Sequence, residues 1–150
     1  MSKYIQSNQV VTLAAPAAAS LLNNIYASDS GKILILPAQI AIQTFTLPLP
    51  EAGLCYKIIA GNTIAFAVTI ATNPGGLFYG SLSNLSTVPL TDVNTGGAGT
   101  AVNIPARKGG ANNVVFGAAA RAGDFVEMVC DGNSWYVHGV SITGTGTGLA

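Results

Sequence analysis

Apolar and polar residues alternate with a period of two along most of this chain, in short runs cut by turn residues. The clearest run is 123–140. Val126, Met128 and Cys130 fall on one face of a strand; Phe125, Glu127 and Val129 fall on the other, which Glu127 marks as the more solvated. Asp131-Gly132 then opens a turn, because glycine accepts the positive φ that a primed hairpin turn requires. Asn133 and Ser134 lengthen the polar interruption, and Trp135 and Val137 then alternate with Tyr136 and His138. A two-residue loop pairs Met128 with Trp135, a four-residue loop pairs Cys130 with Trp135, and both keep Trp135 and Val137 on the Val126, Met128 and Cys130 face. The pattern predicts a core hairpin. Burying Trp135, the only tryptophan, removes about 150–250 Å² from water, worth at most about 4–6 kcal/mol.

The same period predicts strands upstream. Gln9 to Leu13 reads as a short strand, and the Ala-rich stretch 14–26 as a short helix or irregular chain. Lys32 to Leu36 is a buried-type run. Ile40 to Leu47 follows, with Ile40, Ile42, Phe45 and Leu47 at core positions and a change of phase near Gln43. Leu54, Tyr56 and Ile58 oppose Lys57 in the next strand; Ile64, Phe66, Val68 and Ile70 share one face of another. Leu77 to Tyr79 and Asn113 to Ala118 complete the set. Strands spaced about 8–12 residues apart with turn clusters between them predict an all-β fold, an antiparallel β-sandwich or barrel. The expected organisation is an N-terminal arm (1–27) and a β-sandwich domain (28–142) containing a long polar loop (81–118). A flexible Gly/Thr tail (143–150) closes the chain. No repeat of solenoid or propeller length is visible.

Charge changes the picture. Six Lys and Arg balance six Asp and Glu, and only 8% of residues are charged, against about 25% in an average globular protein. So few charges keep a free monomer poorly soluble, so much of the surface is expected to be covered in an assembly. Arg107-Lys108 is the only adjacent basic pair, which argues against a nucleic-acid partner. The long uncharged interval from Lys3 to Asp29 is broken by Gln, Asn and Pro, so it is no membrane span. The apolar run 10–22 follows a polar Gln6 to Gln9 stretch, which makes it a poor secretory leader. Cys55 and Cys130 are too few for a disulfide framework and are read as free thiols.

Candidate chemistry is sparse. His138 is the single histidine, and Cys55 and Cys130 do not make up the three or four ligands of a zinc site. Asp124, Glu127 and Asp131 read as surface carboxylates of the hairpin, and no calcium-loop spacing accompanies them. Neither Gly75-Gly76 nor Gly96-Gly97 has the spacing of a phosphate-binding loop. The expectation is a protein that is no enzyme, with no cofactor and no metal.

Four segments carry a resemblance: S-D-S-G-K (28–32), T-F-T-L-P-L-P-E-A-G-L-C-Y-K-I-I (44–59), V-T-I-A-T (68–72) and G-D-F-V-E-M-V-C-D-G-N-S-W-Y-V-H-G (123–139). Together they resemble a small β-domain of tailed-phage virion structural proteins, matching roughly 28–80 and 123–142. Such domains occur in capsid decoration (cement) proteins and in fibre or tail tips, usually as trimers. The resemblance implies a virion structural protein, made in the host cytoplasm and carried on the capsid surface. Its partners would be its own copies, as a homotrimer, and the major capsid protein. The alternative is a fibre or tail-tip module binding a host surface ligand. The short chain without a heptad or collagen-like stalk favours the shell. A secreted carbohydrate-binding β-sandwich is a weaker third reading. In the arm, Val10, Val11, Leu13, Leu21, Leu22 and Ile25 are the candidate contacts with a partner, the strand 9–13 adding to a neighbouring sheet edge.

Overall fold

A computed structural model describes residues 9–13, 22–84, 106–118, 120–141 and 147–149. The fold is all-β. Its strands are β1 (Val10–Thr12), β2 (Leu22–Asn24), β3 (Ile33–Leu36), β4 (Gln43–Thr46), β5 (Cys55–Ala60), β6 (Val68–Ala71), β7 (Phe78–Asn84), β8 (Ala106–Ala111), β9 (Asn113–Phe116), β10 (Phe125–Cys130), β11 (Trp135–Ser141) and β12 (Thr147–Leu149). A 3-10 turn spans Ala27–Asp29. Among the described residues no helix is long and apolar enough to cross a membrane.

The strands form two sheets, ordered β1-β3-β5-β10-β11-β7-β8 and β12-β9-β6-β4-β2. Both are mixed rather than antiparallel. From β1 to β7 the chain steps from one sheet to the other at every strand, and among β1 to β6 each strand pairs with the next but one in sequence. Two strands joined in this way run parallel, because the connection crosses through the opposite sheet instead of turning back in a hairpin. Val10 pairs with Ile33 and Ile33 with Lys57 in one sheet; Leu22 pairs with Thr44 and Thr44 with Thr69 in the other. The first half is therefore a coil of three turns with a nearly constant interval, although no sequence repeat announces it. The hairpin β10–β11 extends the larger sheet, β10 antiparallel to β5 and β11 parallel to β7.

Inward residues of both sheets make one contiguous core, which includes Leu34, Phe45, Ile58, Ile70, Phe78, Phe116, Val126 and Trp135. The Trp135 ring lies 5.8 Å from that of Tyr56. The Tyr56 hydroxyl donates to the carbonyl of Tyr26 at 3.1 Å. Burial pushes its pKa well above the ordinary phenol value, with the negative charge of Asp29 adding to the effect. Gly80, in β7, has φ of +150°, and a β-carbon there would run into the carbonyl of Val137 on β11. Glycine is what lets these two parallel strands sit together at that point.

Several expectations need correction. Ile40 and Ile42 are 63% and 64% exposed, not core residues. The segment 37–42 belongs to no strand, so the alternation begins only at Gln43, and Gln43, Phe45 and Leu47 point inward. Phe66 is 43% exposed for the same reason: 61–67 is a loop and the strand starts at Val68. The expected polar loop 81–118 is largely strand where it is described. Ser81 to Asn84 lie within β7, and β8 and β9 occupy most of 106–116; residues 85–105 lie outside the described residues. The expected flexible tail contributes β12, paired with β9. The arm set apart as 1–27 supplies the outer strands β1 and β2, and Ile25, whose N–H donates to the Thr46 carbonyl at 2.9 Å, is buried in the core. Within the Ala-rich stretch 14–26, residues 22–24 are strand and 14–21 lie outside the described residues.

Candidate interaction face

The site with the most chemistry on it is the outer face of the seven-stranded sheet. It exists because β5, β10, β11 and β7 alternate strictly, sending Tyr56, Ile58, Val126, Met128, Trp135 and Val137 into the core and their neighbours outward. Registers then arrange the outward side chains in rows. One row runs Cys55, Val129, Tyr136, Tyr79; the next Lys57, Glu127, His138, Ser81; the third Ile59, Phe125, Val140, Ser83. An antiparallel sheet with a solvated face usually shows polar residues there. Here Cys55, Ile59, Phe125, Val129, Tyr79, Tyr136 and Val140 are apolar or aromatic, and Val129 and Tyr136 are each 53% exposed.

Lys57 and Glu127 satisfy each other on this face. The Lys57 ammonium meets the Glu127 carboxylate at 2.7 Å and lies 4.8 Å from the centre of the Phe125 ring. An exposed pair of this kind contributes about 0.2–1 kcal/mol. His138 packs 6.4 Å from Phe125, and the rings of Tyr79 and Tyr136 are 6.2 Å apart. Two shallow depressions of about 320 Å³ each flank the row of Val129. One is bordered by Cys55, Lys57 and Glu127, the other by Tyr79, Tyr136 and His138.

The hairpin turn closes one end of the face. Cys130 pairs with Trp135, so the loop has four residues. Asp131 Oδ1 accepts the backbone N–H groups of Asn133 (2.9 Å) and Ser134 (2.8 Å), and its Oδ2 accepts the Tyr136 hydroxyl at 3.0 Å. These bonds favour the carboxylate, the one from Ser134 most, and hold Asp131 below its ordinary pKa; the same carboxylate raises that of Tyr136. Gly132 takes φ of +104° there.

The hairpin residues Val126, Met128, Cys130, Trp135 and Val137 are all buried on the inner face, and His138 is exposed on the outer one. Of the arm residues, Val10 is 58% exposed, whereas Val11 and Leu13 pack against the chain's own core. Ile25 is buried and unavailable to a partner; Leu22 opens β2; Leu21 lies outside the described residues. Of the three hairpin carboxylates, Glu127 and Asp131 are on the surface but Asp124 is fully buried. Asp124 precedes β10 and its carboxylate turns back to accept the Arg121 N–H at 3.3 Å, which sequence spacing alone does not reveal. Cys55 is half-buried and Cys130 buried, both as free thiols. Among the described residues no group of three or more His, Cys, Asp or Glu is placed to hold a metal. The outer face itself was legible in part, since Phe125, Val129 and Tyr136 are large apolar residues on a strand face read as solvated.

Comparison with protein-family models, curated proteins and solved structures gives no match. The likeness to virion β-domains therefore rests on the sequence motifs alone.

Proposed function

We propose that this protein is a structural component of a virion, a capsid decoration protein that attaches to the outer shell and stabilises contacts between capsomers, working with copies of itself. The observation that carries the reading is the outer face of the seven-stranded sheet. Among the described residues it is mostly apolar, and the Lys57–Glu127 ion pair on it is internally neutralised, on a chain with 8% charged residues. A surface of that kind gains most by being covered. It offers a binding protein broad contact area. The virion motifs at 28–80 and 123–142 point the same way.

The test is addition of purified protein to shells that lack it. Decoration predicts saturable co-sedimentation and a higher temperature of shell rupture, since a ligand that binds only the assembled state stabilises that state. Shells that neither bind the protein nor gain heat resistance would overturn the proposal.

A further inference from the structure

We infer that two copies of this chain pair face to face through the outer surface of the seven-stranded sheet, about a two-fold axis that runs along the strands between β5 and β10. The argument begins with the register. Lys57 lies beside Glu127, Cys55 beside Val129, and Ile59 beside Phe125. A two-fold axis parallel to these strands, lying in the contact plane midway between them, carries β5 of one copy over β10 of the other. Lys57 then faces Glu127 of the second copy, and Glu127 faces Lys57. Each carboxylate sits between two ammonium groups, and no like charges meet. Cys55 is set against Val129 and Ile59 against Phe125, so the apolar rows also meet apolar rows. A two-fold axis perpendicular to the strands and passing through the charged row would instead bring like charges together, which is strongly disfavoured.

A second copy is the occupant this face fits best, because the face is complementary to itself. Its charge pattern maps onto its opposite under one rotation, as an isologous contact requires. Sheets stacked in this way lie about 10 Å apart, a gap that Val129, Tyr136 and Phe125 can fill. Such a contact closes at two copies, not at the three that the sequence resemblance implies. In this arrangement a second copy covers the face, so it is the pair, through its remaining surfaces, that meets a shell.

The experiment uses the full chain and reads its mass by sedimentation equilibrium across micromolar to submillimolar concentrations. The wild type should give twice the chain mass. Glu127→Lys, which sets lysines against lysines both within and between copies, should weaken pairing about a hundredfold or more. The double exchange Lys57→Glu with Glu127→Lys should restore it, because the rotated pattern is again one of opposites. Emission from Trp135, buried on the inner side of the sheet, reports whether each variant is folded. If Glu127→Lys does not fold, Val129→Lys in the wild-type background supplies the same test through the apolar row. A monomeric or trimeric wild type, a folded Glu127→Lys or Val129→Lys protein that pairs with wild-type affinity, or a folded double exchange that stays monomeric would each overturn the inference. Shell binding is scored separately, so failure of the two-fold contact and failure of the decoration role give different results.

Discussion

The hairpin β10–β11 and the coil β1–β6 are both sheet, and their residues alternate in the same way, yet they are specified differently. In the hairpin the pairing partners are separated by one turn, and the turn carries its own chemistry. Asp131 gathers two backbone N–H groups and Gly132 takes the positive φ. In the coil no strand pairs with its sequence neighbour. β3 reaches β5 only after the chain has crossed to the other sheet and formed β4. The hairpin closes a short loop, whereas each turn of the coil closes a longer one before any ladder bond is made. Local chemistry sets the register of the first; shared burial of apolar rows sets that of the second.

The sharpest way to break this contrast is to remove what both regions share. Trp135 belongs to the hairpin but packs on Tyr56 of the coil, so Trp135→Ala should cost about 3–5 kcal/mol in chemical denaturation, with hairpin and coil losing structure together. A smaller loss of about 1–3 kcal/mol is expected for Gly80→Ala, which forces a methyl group against the Val137 carbonyl where β7 meets the hairpin. A urea midpoint unchanged by that substitution would mean that the two strands can part without penalty.

Both regions bury a polar group without a partner, the indole Nε1 of Trp135 in the hairpin and the whole side-chain amide of Gln43 in the coil. Gln43 is 1% exposed, and neither its amide nitrogen nor its amide oxygen has a hydrogen-bond partner. Gln43→Met keeps the shape and removes both orphaned atoms, so stability should rise by about 1 kcal/mol, measured by the same denaturation. A loss instead would mean that the amide is satisfied in solution.

The smallest effect tests the turn. Asp131 is held below its ordinary pKa of 3.8 by the bonds it accepts. Its contribution to folding is therefore complete above 3.8 and fades as pH falls through its lower folded value. Between pH 5 and 2, wild-type stability should fall more steeply than that of Asp131→Asn, in thermal melts recorded at each pH. Parallel curves would show that the carboxylate charge does nothing for the turn.

This contrast also explains what could be read from sequence. The inner face of the hairpin was legible because Val126, Met128, Cys130, Trp135 and Val137 keep their side in either register. Ile40 and Ile42 were misplaced because alternation was extended back through 37–42, where the chain makes no ladder. Ser81 and Ser83 hid the length of β7, since outward polar residues look like loop when the partner strand is unknown. The pairs Lys57–Glu127 and Tyr79–Tyr136 depend on neighbours 70 and 57 positions apart in sequence, brought together by pairings that no local motif encodes.

The central claim is that this is a shell protein, used in many copies and bound through its surfaces. The most direct measurement is a quantitative mass-spectrometric count of the chain in purified particles from cells that make it. The account predicts hundreds of copies per particle. A handful would place the chain in a fibre or tail tip, and none at all would contradict a virion role.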